Sequence, residues 1–406
     1  MRIFQLEPFL RKTESHFFEV ALAMSSHFQS QKSVPFRLVG NRSLEKPVTR
    51  LFPNVVAGIS QTCFEDPDNK GATFADDLFQ LHTDFKFQPH DLLIVTTSYE
   101  NQILGTARYQ KLISNSPMIA LHFHQLFPPS IESDDVAKPS FRRFWRTRLR
   151  RAFSQSTSHR VSYWTTECKK LNDDFRQVAQ REIGMLPVPF LSYRETTPLF
   201  QSSTAGGFTV AYLGDGRQEK GLLIWLKAIH ALCQSGKPYE FIVQINNPRG
   251  FNDSQRLEVE ALKNDLKDYR NVRLLNGPLP TSDFHRVLNT IDLLAIPYNP
   301  LNYCRRVSGL AMHAAAYEKP LLVSSDTWAA QEVKKGRLAG TIFKFDRRRE
   351  EMTIRNIIEC LELAFAKRQI LKRLAAKAAS YFRSRNTPAG YVNRIVDFYS
   401  GGNRLI

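Results

Sequence analysis

Tyr212-Leu-Gly-Asp-Gly-Arg-Gln-Glu-Lys-Gly221 lies between an apolar run, Phe208-Thr-Val-Ala-Tyr-Leu213, and an amphipathic helical pattern from about Leu222 to Gln234. Gly214 and Gly216 let the chain turn tightly, and Arg217 and Lys220 project two cations three residues apart. The helix that follows offers unbonded backbone N–H groups and a positive dipole end. Together these features predict a diphosphate cradle; an ordinary glycine turn with two exposed cations is the alternative. The spacing is neither that of a Walker loop nor Gly-x-Gly-x-x-Gly, so kinase and dinucleotide dehydrogenase readings lose their main support.

Outward from this segment the pattern repeats. Downstream come Tyr239-Glu-Phe-Ile-Val-Gln-Ile245, a helical stretch through Leu257 to Lys267, Val272-Arg-Leu-Leu, Leu293-Leu-Ala-Ile-Pro and Pro320-Leu-Leu-Val-Ser. One helical stretch, Thr353 to about Arg385, and another, Ala389 to Tyr399, close the chain. Upstream, Ile3-Phe-Gln-Leu, Leu92-Leu-Ile-Val, Met118-Ile-Ala-Leu-His-Phe-His and Arg160-Val-Ser-Tyr-Trp-Thr-Thr alternate with helical periods such as Phe17 to Met24. Such alternation predicts α/β structure with parallel sheets covered on both faces. Pro187, Pro189, Pro198 and Gly206-Gly207 interrupt the rhythm. The expected organisation is a first doubly wound, Rossmann-like domain over 1–188, a linker over 189–207, a second over 208–385, and a C-terminal helix within 386–406 that crosses back to the first. Two such domains put a ligand crevice between them, at the carboxyl ends of the strands.

The 406 residues, 42% hydrophobic with 19 Gly and 21 Pro, exclude collagen-like and largely disordered chains. Five scattered cysteines, Cys63, Cys168, Cys233, Cys304 and Cys360, argue against a disulfide framework or a structural zinc site and for a reducing compartment. No apolar stretch suits a signal peptide or a membrane span, so a cytoplasmic protein is expected. The net charge of +17 attracts polyanions without choosing among them. Its densest run, Phe141-Arg-Arg-Phe-Trp-Arg-Thr-Arg-Leu-Arg-Arg-Ala-Phe153, holds six arginines and no acid. As a helix it aligns Phe141, Phe144, Trp145, Leu149 and Phe153 in one stripe flanked by Arg142, Arg143, Arg146 and Arg150, the pattern of an interfacial helix on an anionic membrane. A surface helix docked on its own domain is the other reading. Nucleic acid ranks last, because no recognised binding motif accompanies the charge.

A second candidate anion site follows in Ile291-Asp-Leu-Leu-Ala-Ile-Pro-Tyr298, then Tyr303-Cys-Arg-Arg-Val-Ser-Gly309 and a small-residue helix to Tyr317. Ser308-Gly309 opens that helix, with Arg305 and Arg306 beside it. Two cationic helix starts suit a nucleoside diphosphate. Strand-Gly-x-x-Arg-x-x-Lys-Gly, followed by Asp-x-x-x-x-Pro-Tyr, Arg-x-Ser-Gly and Lys-Pro, resembles the C-terminal half of the group-one glycosyltransferases of GT-B fold. The likeness runs over about Phe208 to Phe345 and is mostly one of layout over 1–187.

The resemblance implies a nucleotide sugar, UDP- or GDP-linked, in the second domain, an acceptor in the first, and transfer in the cleft. Arg217 and Lys220 match the pair that neutralises the leaving diphosphate, in place of a metal or other cofactor. Gly277 falls where the family contacts the base. Tyr298, Tyr303, Arg305, Arg306, Ser308, Gly309 and His313 complete the expected binding set, with Gly214 and Gly216. In Leu121-His-Phe-His-Gln-Leu-Phe127, His124-Gln125 resembles the family's His-Asp facing the donor sugar, which implies that His124 is a catalytic residue at the sugar or the reacting centre, with His122 the rival and a purely structural role the alternative. Asp66-Pro-Asp68 and Asp76-Asp77 are read as surface caps rather than metal ligands.

Two departures stand out. Arg11-Lys-Thr-Glu-Ser-His16 replaces the family's glycine-rich loop, although Ser15 and His16 still suit a helix start, and the family's paired glutamates correspond to Arg305 and His313. A hydroxyl those acids would bind is left to His313 or Ser308. The expected activity is a metal-independent transferase of retaining type that extends a glycan or lipid-linked acceptor at the inner membrane face, in polysaccharide or glycoconjugate synthesis. The alternative is an inactive sugar-nucleotide-binding or scaffolding protein of the same shape.

Overall fold

A computed structural model describes residues 1–13, 16–31, 34–60, 71–126, 139–190 and 207–401. The chain divides into two compact units, Met1–Leu191 with Arg385–Ile406, and Ser192–Ser384. In the first unit, β1 (Ile3–Leu6), β2 (Phe36–Asn41), β3 (Val56–Ile59), β4 (Leu92–Val95), β5 (Met118–Phe123), β6 (Val161–Thr166) and β7 (Gly184–Leu186) form one sheet. Its order is β3-β2-β1-β4-β5-β6-β7, and every pairing is parallel. The strands are buried on both faces, which is why they read as continuous apolar runs rather than as alternations.

The order reverses between β1 and β4, so their carboxyl ends flank the crevice where a doubly wound sheet takes its ligand. Register carries the three central strands to this point together: Leu6 pairs with Val95, and Val95 with Leu121. One face of the sheet, with Ile3, Leu92, Ile94, Ala120 and Trp164, lies under Val20, Met24 and Phe28 of the His16–Ser30 helix. Tyr391, Val392, Ile395 and Val396 of the Pro388–Tyr399 helix cover the same face. Thr387 caps that helix by accepting from the Gly390 N–H, and Pro388 opens it. Its four buried side chains stabilise the unit by roughly 1.5–3 kcal/mol each. Arg385 and Arg394 both pair with Glu167, and the Tyr399 hydroxyl donates to the Ile119 carbonyl at 2.7 Å.

The second unit contains β8 (Phe208–Tyr212), β9 (Asp215–Arg217), β10 (Tyr239–Arg249), β11 (Val272–Asn276), β12 (Leu293–Ile296), β13 (Leu321–Ser324) and β14 (Gly340–Phe343). The order is β11-β10-β8-β12-β13-β14, with β9 joined to β10. Here the reversal falls between β8 and β12. The Leu222–Gln234 helix buries Leu222, Trp225, Leu226 and Ile229 at helical spacing, and the Trp225 ring meets Phe241 edge-on at 6.3 Å. Two expectations change. The segment after β8 is not all turn: β10 runs for 11 residues and offers its edge to Asp215–Arg217. The stretch expected as one helix from Thr353 is two, Glu350–Ala366 and Arg368–Arg385, parted at Lys367. Among the described residues no helix is long and apolar enough to cross a membrane.

Candidate active site

Gly214, two residues beyond β8, has φ +100°, a conformation that disfavours any side chain. Its N–H donates to Gln244 Oε1 at 2.8 Å, and Gln244 Nε2 donates to the Gly277 carbonyl at 2.9 Å. One β10 side chain therefore clamps both loops. Sequence reasoning missed Gln244, whose only signal was an amide inside an apolar strand. Gly221 has φ +75°, and a Cβ there would lie 2.1 Å from the Pro297 carbonyl oxygen. Only glycine lets the start of the 222–234 helix approach the end of β12.

Between these glycines the cations are already engaged. Arg217 pairs with Glu219 at 2.8 Å and Asp215 at 3.6 Å, and its Nη2 donates to the Tyr303 hydroxyl at 3.3 Å. Arg249 pairs with Asp215 at 3.2 Å. The Lys220 ammonium stands 6.0 Å from the Tyr298 ring centroid. Burial, reinforced by Arg217, pulls its pKa down to about 8. A charge held this far out of water gains more than an exposed one from an arriving anion.

The Tyr298 and Tyr303 rings meet at 4.2 Å, Tyr298 bonds Ser308, and Arg306 lies 5.9 Å from the Tyr303 ring. Ser308 accepts from the Ala311 N–H and so caps the Gly309–Ala316 helix. The structure thus joins Gly214, Arg217, Lys220, Tyr298, Tyr303, Arg306, Ser308 and Gly309 in a continuous set of contacts, with Gly277 tied in through Gln244. Gly216 is buried in β9, tight against Leu222 and the Asn246 carbonyl. Arg305 donates to Cys304 Sγ at 3.2 Å. His313 packs its ring on Phe284 at 4.9 Å and His285 at 5.7 Å, against the Thr281–Thr290 helix.

In the first unit His122 and His124 close β5, their rings 4.5 Å apart. His124 Nε2 meets the Thr96 carbonyl at 2.7 Å, and His122 Nδ1 meets the Tyr391 hydroxyl at 2.9 Å. Burial pushes both imidazoles below their usual range, His124 to about 4, so both are neutral at pH 7. Beside them stands a residue the sequence reading did not select. Glu7 follows β1 directly and is 1% exposed. Its carboxyl accepts from Thr96 Oγ1 at 2.5 Å, Thr97 Oγ1 at 3.0 Å and the Phe9 N–H at 3.0 Å. Burial raises its pKa to about 7 against the pull of those bonds.

Asp77 is a correction. It is 2% exposed rather than a surface cap, accepting from the Ser60 N–H and hydroxyl and pairing with Arg42. Burial raises its pKa above the usual carboxylate value. Asp66, Asp68, Ser15 and Cys63 lie outside the described residues, as does most of the expected linker.

The Pro139–Gln155 helix splits its apolar stripe: Leu149 and Phe153 are buried with Ala152, whereas Phe144 is 54% exposed. Phe141 and Trp145 are half-buried. Arg146 pairs with Asp174 and Arg148 with Glu100. An open groove of about 410 Å³ is lined by Pro139, Arg142, Arg143, Arg146, Thr147 and Arg150.

No family model matches the chain, and no curated protein matches it in sequence. Solved structures do match in shape. Sucrose-phosphate synthase from Thermosynechococcus elongatus has a TM-score of 0.67 at 9% identity over 99% of both chains. HepE of Anabaena, in complex with UDP-glucose, has 0.62 at 15% over 99% of this chain and 100% of that one. WaaG, a glycosyltransferase involved in lipopolysaccharide biosynthesis, has 0.61 at 13% over 98% and 100%. The two parallel-sheet α/β domains are those of the GT-B fold, as the sequence led us to expect.

Proposed function

We propose that the protein is a glycosyltransferase that takes a sugar from a nucleotide-diphosphate donor. The observation that carries this reading is the cluster of Arg217, Lys220 and the start of the 222–234 helix at the strand-order reversal of the second unit. As the sugar's C1–O bond breaks, its electron pair leaves with the diphosphate. The two side chains and the helix N–H groups oppose the charge that develops there, without a metal. HepE, bound to UDP and to UDP-glucose, supports a donor of this class. We propose retention of the anomeric configuration, which the resemblance of the Arg217–Lys220 segment implies.

The acceptor we propose is a glycan or lipid-linked saccharide met at an anionic membrane face of the cytoplasm, in polysaccharide or glycoconjugate synthesis. The exposed Phe144 and the groove with Arg142, Arg143, Arg146 and Arg150 support it. Arg305 and His313, where related enzymes carry acids, favour a second reading, a sugar-nucleotide-binding protein without transfer.

A thermal-shift screen against UDP, GDP, ADP and their sugar conjugates, with and without magnesium, tests the donor. A true donor at about 100 times its Kd stabilises the fold by about 2.7 kcal/mol. Steady nucleotide release in the presence of acceptor then removes the second reading, and no shift with any nucleotide removes the first.

A further inference from the structure

Gln5 and Glu7 lie on the face of β1 that also carries Ile3, by strand alternation, and this face is covered by the 388–399 helix. The β4–β5 register sets Thr96 beside His122 in the same layer. Between the apolar residues and the strand ends, this layer turns polar. Both side-chain atoms of Gln5 and Nε2 of His122 are buried without a hydrogen-bond partner. Buried polar atoms of this kind are rare in folded proteins and often mark sites where function has outweighed stability. No lysine or arginine among the described residues pairs with the Glu7 carboxyl; Tyr391 is the titratable group that senses it directly, and His122 and His124 are one contact further off, through Tyr391 and Thr96.

A carbonyl oxygen only accepts, so the 2.7 Å contact with Thr96 puts the His124 proton on Nε2 and the lone pair on Nδ1. The same Thr96 holds Glu7 through its hydroxyl. We propose that Glu7 is a positioning residue for His124, acting through Thr96, and that its ionisation governs how firmly the imidazole is held. This rests on the reading that His124 serves the transfer reaction.

The hydroxyl of Thr96 has two acceptors in reach, Glu7 Oε2 at 2.5 Å and the Leu6 carbonyl at 3.2 Å. With Glu7 ionised, Thr96 and Thr97 both donate to the carboxylate and fix the end of β4. With Glu7 protonated, its own O–H donates to Thr96 Oγ1, and the Thr96 hydroxyl turns to Leu6. No bond is made or broken beyond one proton taken from solvent. The end of β4 thus has two arrangements that differ in whether a charge anchors it.

The test uses the full chain labelled with 13C at histidine Cε1, with the His124 resonance assigned by its loss in His124→Gln. In the wild type we expect a shift step centred near pH 7, well separated from the imidazole's own titration near 4. Glu7→Gln removes that step and Glu7→Asp keeps one. In transfer assays kcat falls at least tenfold below pH 7 in the wild type and is flat in Glu7→Gln, with the donor KM unchanged. Absence of the step in the wild type overturns the proposal without requiring any variant at Glu7 to fold. A step that survives Glu7→Gln overturns it equally. If no donor supports transfer, the functional reading fails while the resonance still decides the coupling.

Discussion

At the end of β8 the charged groups are numerous and paired: Arg217 with Glu219 and Asp215, and Arg249 with Asp215, while Lys220 lies over a tyrosine ring. At the end of β1 one carboxyl is held by two hydroxyls and a backbone N–H, and one of those hydroxyls belongs to Thr96, whose carbonyl meets the neutral His124. The first arrangement suits a multivalent anion, because a diphosphate can take over bonds the carboxylates now make. The second suits a group whose charge must change, because burial favours the neutral carboxyl while its three hydrogen bonds favour the charged one. Equivalent positions in two similar sheets therefore carry opposite electrostatic designs.

The largest effect expected of this contrast is on turnover. Arg217→Ala or Lys220→Ala should lower kcat by about 10³-fold or more while leaving the thermal midpoint nearly unchanged; full activity in both would break the comparison. Nucleotide affinity sharpens it. Lys220 must carry its proton to meet a diphosphate, and its pKa without ligand is about 8. Binding should thus be constant below that pH and weaken towards tenfold per unit above it, as calorimetry at pH 7 and 9 would show.

For Glu7 the sign runs the other way. Its pKa rises on folding from 4.5 to about 7, so the folded state is favoured below 4.5 and loses stability as pH climbs through 7. Glu7→Gln should stabilise the protein at pH 8 by an amount of order 3 kcal/mol, and the gain should vanish at pH 4. Urea unfolding at the two pH values measures it. Tyr391→Phe leaves His122 Nδ1 without its partner and should cost about 1–2 kcal/mol in the same assay. Arg143→Ala with Arg150→Ala, outside both strand ends, should move stability by less than about 0.5 kcal/mol. The same pair should weaken sedimentation with anionic vesicles by about 1 kcal/mol per arginine.

The α/β class was legible because each buried strand is a contiguous apolar run with a helical period after it. The segment around Arg217 and Lys220 was legible for the same reason, since its glycines, cations and helix start are neighbours in the chain. Glu7 was not. Its meaning depends on β4 lying beside β1, which brings Thr96 and Thr97 from about 90 residues away, and the sequence signal is one acid after a short strand. Gln244 was hidden likewise, an amide whose two partners lie on different loops. The carboxylates that hold Arg217 were in plain view at Asp215 and Glu219, but composition does not say which way a side chain turns. Asp77 read as a surface acid because the partners that hold it, Ser60 and Arg42, come from segments distant in sequence.

The Pro388–Tyr399 helix closes the sheet face laid down by the first strands of the chain, and the whole of Ser192–Ser384 lies between them. On the ribosome the first unit thus begins to emerge before the second and is finished after it. At typical synthesis speeds its apolar face waits roughly 10–40 s for the segment that covers it. A chain that stalls anywhere in the second unit exposes that face and leaves Glu167 without its two arginines.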